Sequence, residues 1–164
     1  VTRHRIHPLP VQRPHPPIAV SGNGRRLLTL AAREADIVGL SGITFRRGGT
    51  APDISGWKEA GVDERVRLVK EVAGDRFARI ELNVLVQQVL VTDDRRRTAE
   101  ELASRWSQLS PDEILRSPYA LIGSVDRLVE DLEARRERWG MSYFTIFEPY
   151  VGAFAPVVAR LAGR

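Results

Sequence analysis

Short apolar runs alternate with segments of helical periodicity along most of this chain, and few folds accommodate such a pattern. Strands are predicted at residues 18–20, 36–40, 79–91 and 143–147, each followed by at least one helix. Strands separated by helices pair in parallel, with right-handed crossovers. The sequence therefore predicts an α/β fold built from four βα units around a parallel sheet.

Helix starts are predicted where a capping residue precedes a periodic segment. A helix runs from Arg25 to about Ala35, and the best helix ends at Gly140. Residues 41–61 are rich in glycine and predict a loop. The other predicted N-terminal caps are Asp63, the Thr98–Glu101 and Ser110–Glu113 capping boxes, and Ser124.

A Gly-x-Gly turn joins the first predicted strand to its helix, at Gly22 and Gly24. Glycine allows a tight turn and a close approach to a ligand. The following helix directs unpaired N–H groups and the positive end of its dipole at the turn, and Arg25 and Arg26 add charge. These features are typical of a phosphate site. The alternative is that the turn is only a tight connection between two elements.

The chain divides at about residue 17. Residues 1–17 hold five prolines and all three histidines and predict an extended lead-in, whereas residues 18–164 predict one βα domain. The domain contains neither His nor Cys, which excludes zinc sites, Ser-His-Asp triads and Cys-His pairs there. We therefore predict no metal site, and the absence of cysteine favours a cytoplasmic location.

The net charge of +4 raises the question of a nucleic-acid partner. Most arginines, however, alternate with Glu and Asp on predicted helix faces, as they do in residues 130–137. This pattern indicates a solvated, ion-paired surface rather than a stripe that follows a phosphate backbone. No apolar run approaches the roughly 20 residues that span a membrane. We predict neither a nucleic-acid nor a membrane partner.

Residues 13–26 and 30–38 together resemble the bacterial luciferase-like monooxygenase superfamily. The greatest resemblance is to its deazaflavin (coenzyme F-420)-dependent oxidoreductases. Residues 117–128 are similar to the segment before the penultimate helix of these proteins, and residues 140–147 to their final strand. Members of the family are (β/α)8 TIM barrels. This chain resembles only their C-terminal half, the fifth to eighth βα units.

The resemblance implies a cofactor and a place for it. In the family, the turn that matches Ser21, Gly22, Asn23, Gly24 and Arg25 contacts the phosphate-bearing tail of the cofactor. The cofactor would be coenzyme F-420, with FMN as the alternative. The reaction would be hydride transfer or oxygen activation on that cofactor, with a small molecule as substrate. No catalytic acid or base is predicted in this half.

Four more residues are pocket candidates by the same resemblance. Ser41 matches a pocket-lining position, although a hydroxyl that completes a turn is an equal alternative. Glu81 and Asn83 lie on the polar face of a strand and face either the barrel lumen or solvent. Glu148 ends the last strand at the face where barrel chemistry occurs.

A basic loop is a further candidate. Arg46 and Arg47 would meet the acidic tail of the coenzyme, and the alternative is a mobile surface loop.

Four parallel strands do not close a barrel, because closure takes about eight. The outer strands would keep open edges, and an apolar inner face would be exposed. We therefore expect a homo-oligomer or a complementing N-terminal half. Three functions remain open: an oxidoreductase half that is active when completed, an inactive half-barrel that binds a cofactor or a protein, and a nucleic-acid binder, which the interspersed acids disfavour.

Overall fold

A computed structural model describes residues 7–45 and 51–163. The strands are β1 (Ala19–Ser21), β2 (Ile37–Leu40), β3 (Thr44–Phe45), β4 (Pro52–Asp53), β5 (Glu81–Leu85), β6 (Gln88–Val91), β7 (Ala120–Gly123) and β8 (Met141–Thr145). The helices are α1 (Arg25–Glu34), α2 (Glu59–Ala73), α3 (Arg95–Arg105), α4 (Pro111–Arg116), α5 (Val125–Trp139) and α6 (Val151–Leu161). Short 3-10 helices span Ser55–Trp57, Gly74–Arg79 and Glu148–Tyr150.

The main sheet has four parallel strands in the order β1-β2-β5-β8. One row of the sheet aligns Ser21, Gly39, Asn83 and Tyr143. Helices alternate with these strands along the chain. The predicted α/β class, the parallel pairing and the four strands of the half-barrel are confirmed.

One face of the main sheet is buried beneath the helices. Its buried side chains alternate along the strands, because successive residues of a strand point to opposite faces. Helix α1 contributes Leu28, Ala31 and Ala32 to this core. The buried sheet residues include Val38, Leu40, Leu82, Val84 and Met141.

The opposite face of the sheet is open. We expected this inner face to be apolar, and the structure shows a mixed face. Ser21, Glu81, Asn83 and Thr145 occupy it, all of them exposed or half-buried, and Gly39 leaves one position without a side chain. These residues share the face with apolar side chains, which are Ala19, Ile37, Leu85 and Tyr143.

The predicted strand at residues 79–91 is two strands in different sheets. The amide of Val86 still bonds the carbonyl of Thr145 in the main sheet, at 2.8 Å. The amides of Gln87 and Gln88 both donate to the carbonyl of Tyr119 instead, at 2.8 and 3.2 Å. The chain therefore changes partner at Gln87, and β6 pairs in parallel with β7 in a separate two-stranded sheet. The sequence analysis did not predict β7.

The predicted loop at residues 41–61 contains regular structure. Strands β3 and β4 form a short antiparallel pair, and α2 begins at Glu59 rather than at Asp63. Asp63 is therefore not a cap. Its carboxylate accepts a hydrogen bond from Nε1 of Trp139 at 2.7 Å and pairs with Arg138, which ties α2 to α5.

The capping predictions have mixed outcomes. Ser110 and Glu113 form both arms of a capping box, Ser124 caps α5, and Gly140 ends α5 in the left-handed region at φ 76°. The Thr98–Glu101 box is wrong, because Asp94 caps α3 by accepting from the amide of Arg97. Two further boundaries move: β1 is one residue later than predicted, and β8 is two residues earlier.

Residues 7–17 are exposed and form neither helix nor strand. In the part of the chain that the structure describes, no helix is long and apolar enough to cross a membrane.

Candidate functional site

The carboxyl ends of the four main strands lie at one end of the sheet, because the strands are parallel. A cavity of about 230 Å³ opens there on the inner face. It brings together three of the predicted residues, Ser21, Ser41 and Asn83, which come from three different strands or the turns after them. The remaining lining residues are Leu40, Leu85 and Thr145.

Hydrogen bonds orient the floor of this inner cavity. Nδ2 of Asn83 donates to Oγ1 of Thr145 at 2.9 Å and to the carbonyl of Tyr143 at 3.2 Å. Ser21 lies across Gly39, where any Cβ would collide with the serine side chain. The absence of a side chain at Gly39 therefore keeps Ser21 at the floor of the cavity. Hydroxyl and amide groups on adjacent strands can orient a polar, planar ligand by hydrogen bonds.

Asn23 fixes the turn between β1 and α1. Its Nδ2 donates to Oγ of Ser41 at 3.0 Å and to the carbonyl of Ile43 at 2.9 Å. Its Oδ1 accepts from the amide of Gly42 at 3.1 Å. The side chain of Asn23 therefore binds the loop that follows β2, and it holds two neighbouring turns in a fixed relation.

The start of α1 has free donors. The first helical bond from the turn runs from the amide of Leu28 to the carbonyl of Gly24, at 3.0 Å. The amides of Arg25, Arg26 and Leu27 donate to no residue in the described part of the chain. Unpaired amides at a helix N-terminus favour an anion.

Different physical needs explain the two glycines of the turn. Gly22 donates its amide to the carbonyl of Gly39 at 2.9 Å, and a Cβ there would collide with the side chain of Leu27. Gly24 is extended, with φ −79° and ψ 141°, and a Cβ there would meet open space. A side chain at residue 22 would therefore require Leu27 to move, whereas residue 24 has room for one.

A second cavity, of about 330 Å³, lies between α1 and α2 and is lined in part by Asn23 and Arg25. Arg65 of α2 also lines it and holds its wall together. Its guanidinium donates to the carbonyls of Gly61 and Gly56, to Oδ1 of Asn23 and to the hydroxyl of Tyr119. The predicted turn therefore borders two cavities, with Ser21 on the inner one and Arg25 on the outer one.

The buried side chain of Tyr119 contacts both Arg65 and Gly42. Burial raises the pKa of its phenol, although the nearby charge of Arg65 and its hydrogen bond act in the opposite direction. Gly42, at φ 73°, lies against the tyrosine ring, where a Cβ would come within 2.6 Å of a ring carbon. Sequence analysis missed Arg65, Tyr119 and Thr145. Of these three, only Thr145 could have been found from the sequence, because it lies in the predicted strand at residues 143–147.

Two predicted pocket residues do not line either cavity. Glu81 lies on the inner face but nearer the amino end of the sheet, where it aligns with Ile37. Glu148 is exposed in the 3-10 helix after β8. Arg46 and Arg47 lie outside the described residues.

The inner cavity is lined by uncharged side chains. Its lining contains hydroxyl, amide and aliphatic groups and no titratable side chain. Across residues 7–45 and 51–163, no group of three His, Cys, Asp or Glu residues is placed to hold a metal ion. The site can therefore orient and desolvate a ligand, whereas a reactive group would have to come from the ligand or from another part of the protein.

The carboxyl ends of parallel βα strands are where βα-barrel proteins hold their ligands. Known structures share the fold. The chain is similar to the long-chain alkane monooxygenase LadA, with a TM-score of 0.51 and 15% identity over 90% of this chain and 41% of that one. It is also similar to the coenzyme F-420-dependent tetrahydromethanopterin reductase of Methanopyrus kandleri, with a TM-score of 0.53 and 13% identity over 82% of this chain and 45% of that one.

These similarities establish the fold alone: the chain shares the fold of these two proteins over less than half the length of the solved structures it matches. No protein-family model matches the sequence, and no curated protein matches it.

Proposed function

We propose that this chain is the cofactor-binding half of a flavin- or deazaflavin-dependent oxidoreductase, with coenzyme F-420 as the first candidate and FMN as the second. The observation that carries the proposal is the pair of features at one end of the sheet. The turn from Ser21 to Arg25 joins the inner cavity, which Ser21 lines at the carboxyl end of the sheet, to the free amides at the start of α1.

The donors present fit a phosphate-bearing cofactor. The amides of Arg25, Arg26 and Leu27 supply N–H groups without another acceptor, and the side chain of Arg25 adds a positive charge. Asn23 holds this turn against the next loop, so that its geometry is set before a ligand binds. We assign the phosphate of the cofactor to this turn.

The inner cavity then takes the polar ring system. Such a cofactor supplies the hydride or oxygen chemistry when it is bound. Ser21, Ser41 and Asn83 would orient the ring edge by hydrogen bonds, and Leu40 and Leu85 would exclude water. No side chain of this lining is an acid or a base, so a catalytic acid or base would come from residues outside this cavity. The small-molecule substrate is not assigned, and the cytoplasm remains the expected location.

Gly24→Asp tests the phosphate assignment. A Cβ at residue 24 meets open space, and aspartate is a favoured N-cap, so the variant should fold with equal or greater stability. Its carboxylate would occupy the free amides and repel a phosphate. We expect titration with coenzyme F-420, followed by fluorescence, to show binding at least about tenfold weaker than that of the natural sequence.

Arg33→Ala is the matched control, because Arg33 is an exposed arginine in the last turn of the same helix. It should leave the affinity unchanged. Equal losses in both variants would indicate diffuse attraction between charges and would overturn the assignment. The same titration with FMN decides between the two cofactors.

A second candidate function is an inactive half-barrel that binds a cofactor or a protein partner. The neutral lining of the inner cavity favours it, since none of its side chains can act as an acid or a base. Single-turnover experiments with the reduced cofactor and an electron acceptor discriminate between the two. Binding without oxidation of the cofactor supports the inactive module.

A further inference from the structure

Both lateral edges of the main sheet are open. We call them the β1 end and the β8 end, as distinct from the carboxyl end of the strands. Strand β1 pairs only with β2, and β8 pairs only with β5, within the residues that the structure describes. Each outer strand therefore presents a row of backbone N–H and C=O groups without a strand partner. Such edges bind a further strand unless something blocks them.

Exposed apolar side chains are concentrated beside these two edges. At the β1 end they are Leu27 and Leu30 of α1, with Leu30 52% exposed. Leu27 and Leu30 lie about 200° and 140° around the helix from Arg25, which faces α2, so both leucines point away from α2. The β8 end has four such side chains, Tyr143, Phe147, Val151 and Val158.

Helix α6, beside β8, has the composition of a buried helix. Its 11 residues contain one charged side chain, Arg160, yet only Phe154 and Val157 are buried. Val151 and Val158, 55% and 50% exposed, are seven residues apart and so lie on one side of the helix. A helix that is apolar on all sides is normally covered by other protein.

The β1 end and the β8 end each carry an unpaired charge, of opposite sign, at the same height along the strands. Arg26 follows β1 and Glu148 follows β8, so both are at the carboxyl end of the sheet. Both are exposed, and neither forms an ion pair with any described residue. If the β1 end of one sheet met the β8 end of another in parallel, these charges would face each other.

We propose that a second copy of this chain docks through both ends at once. The β1 edge of each copy pairs with the β8 edge of the other, and α1 of each copy packs against α6 of the other. Two four-stranded sheets then give the eight strands that barrel closure requires. The contact is isologous, because each copy contributes the same two surfaces, and every favourable contact therefore occurs twice.

The second copy also completes the site. The inner cavity is open in one copy, and the inner face of the second sheet would close it and add its own Ser21, Ser41 and Asn83 across the lumen. That this enclosed lumen receives the cofactor rests on the proposed function. The docking itself rests only on the open edges, the apolar helix faces and the complementary charges.

Sedimentation equilibrium of the purified chain without cofactor tests the docking. We expect a dimer at micromolar concentration. Leu30→Glu and Val158→Glu should each weaken it at least about tenfold, because each places two charges in the interface. The matched control is Phe45→Glu: Phe45 is 65% exposed but lies on β3, which pairs with β4 and belongs to neither outer strand of the main sheet, and the dimer should persist.

Charge reversal adds a test of orientation. Arg26→Glu and Glu148→Arg should each weaken the dimer, and the double variant should restore it, because the pair is re-formed with the signs exchanged. If the double variant is no better than the singles, the parallel arrangement is overturned.

Cross-linking tests which edges meet, and the chain contains no cysteine to interfere. The double variant Ser21→Cys with Tyr143→Cys, two positions in the same row of the sheet, should give a covalent dimer with a short bis-maleimide, whereas neither single variant should. A monomer at all concentrations, or a dimer that survives both Leu30→Glu and Val158→Glu, overturns the proposal. A dimer that binds no cofactor would overturn the proposed function and leave the docking intact.

Discussion

Arg135 is a charged side chain enclosed by the fold. Its guanidinium donates to the carbonyls of Ser117, Pro118 and Ala120, at 2.7, 3.4 and 2.9 Å. Burial lowers its pKa to about 10, so it remains protonated at neutral pH, and the carboxylate of Asp131 favours the charged form. Arg135 thereby fixes the segment that leads into β7.

Arg135→Met should therefore destabilise the protein strongly. Methionine fills much of the space but leaves three carbonyls without their donor, and we expect a loss of about 3 kcal/mol in the free energy of unfolding. Urea denaturation followed by circular dichroism measures it. Arg105→Met, at an exposed position in α3, is the control and should change stability by less than about 0.5 kcal/mol. Equal effects would show that Arg135 has no special role.

Helix α4 has six residues and depends on its capping box. Ser110 accepts from the amide of Glu113, and the carboxylate of Glu113 accepts from the amide of Ser110 at 2.8 Å. The hydrogen bond from the Ser110 backbone and the ammonium of Lys58, at 3.0 Å, lower the pKa of Glu113 below its ordinary value of 4.5. Because the folded pKa is the lower one, this stabilisation is present above pH 4.5 and is lost as the pH falls through the folded value.

Glu113→Gln should make the stability of the protein less dependent on pH below 4.5. Glutamine keeps the capping geometry but does not titrate. Thermal unfolding between pH 3 and pH 7 measures the difference. Ser110→Ala should instead lower stability by about 1 kcal/mol at every pH, because it removes the other arm of the box. A Glu113→Gln profile parallel to that of the natural sequence would contradict the role of this carboxylate.

The sequence predicted helix ends correctly where they depend on the chemistry of neighbouring residues. The Ser110–Glu113 box and the end of α5 at Gly140 follow from the chemistry of neighbouring residues, and both are confirmed. The change of sheet at Gln87 was not predictable, because the alternation of residues continues through it and only the carbonyl of Tyr119 redirects the strand. Three of the nine predicted site residues, Ser21, Ser41 and Asn83, converge on the inner cavity because parallel strands end together. Arg65 has no local pattern that marks it.

The open sheet has a consequence for the stability of the whole molecule. If two copies close one barrel, unfolding is coupled to dissociation, and stability depends on protein concentration. We expect the midpoint of thermal unfolding to rise as the concentration increases from 1 to about 100 μM. Val158→Glu should give a lower midpoint with little concentration dependence. A midpoint of the natural chain that is constant over this range would contradict the dimer.

The bonds of Asn23 to Ser41, Gly42 and Ile43 also have a kinetic consequence. A turn that is already held in place has no ordering step to complete after its ligand arrives. In stopped-flow mixing, the observed rate of association should rise in proportion to ligand concentration and reach no plateau. Asn23→Ala would release the turn, and the same experiment should then show saturation, with the rate limited by the closing of the loop.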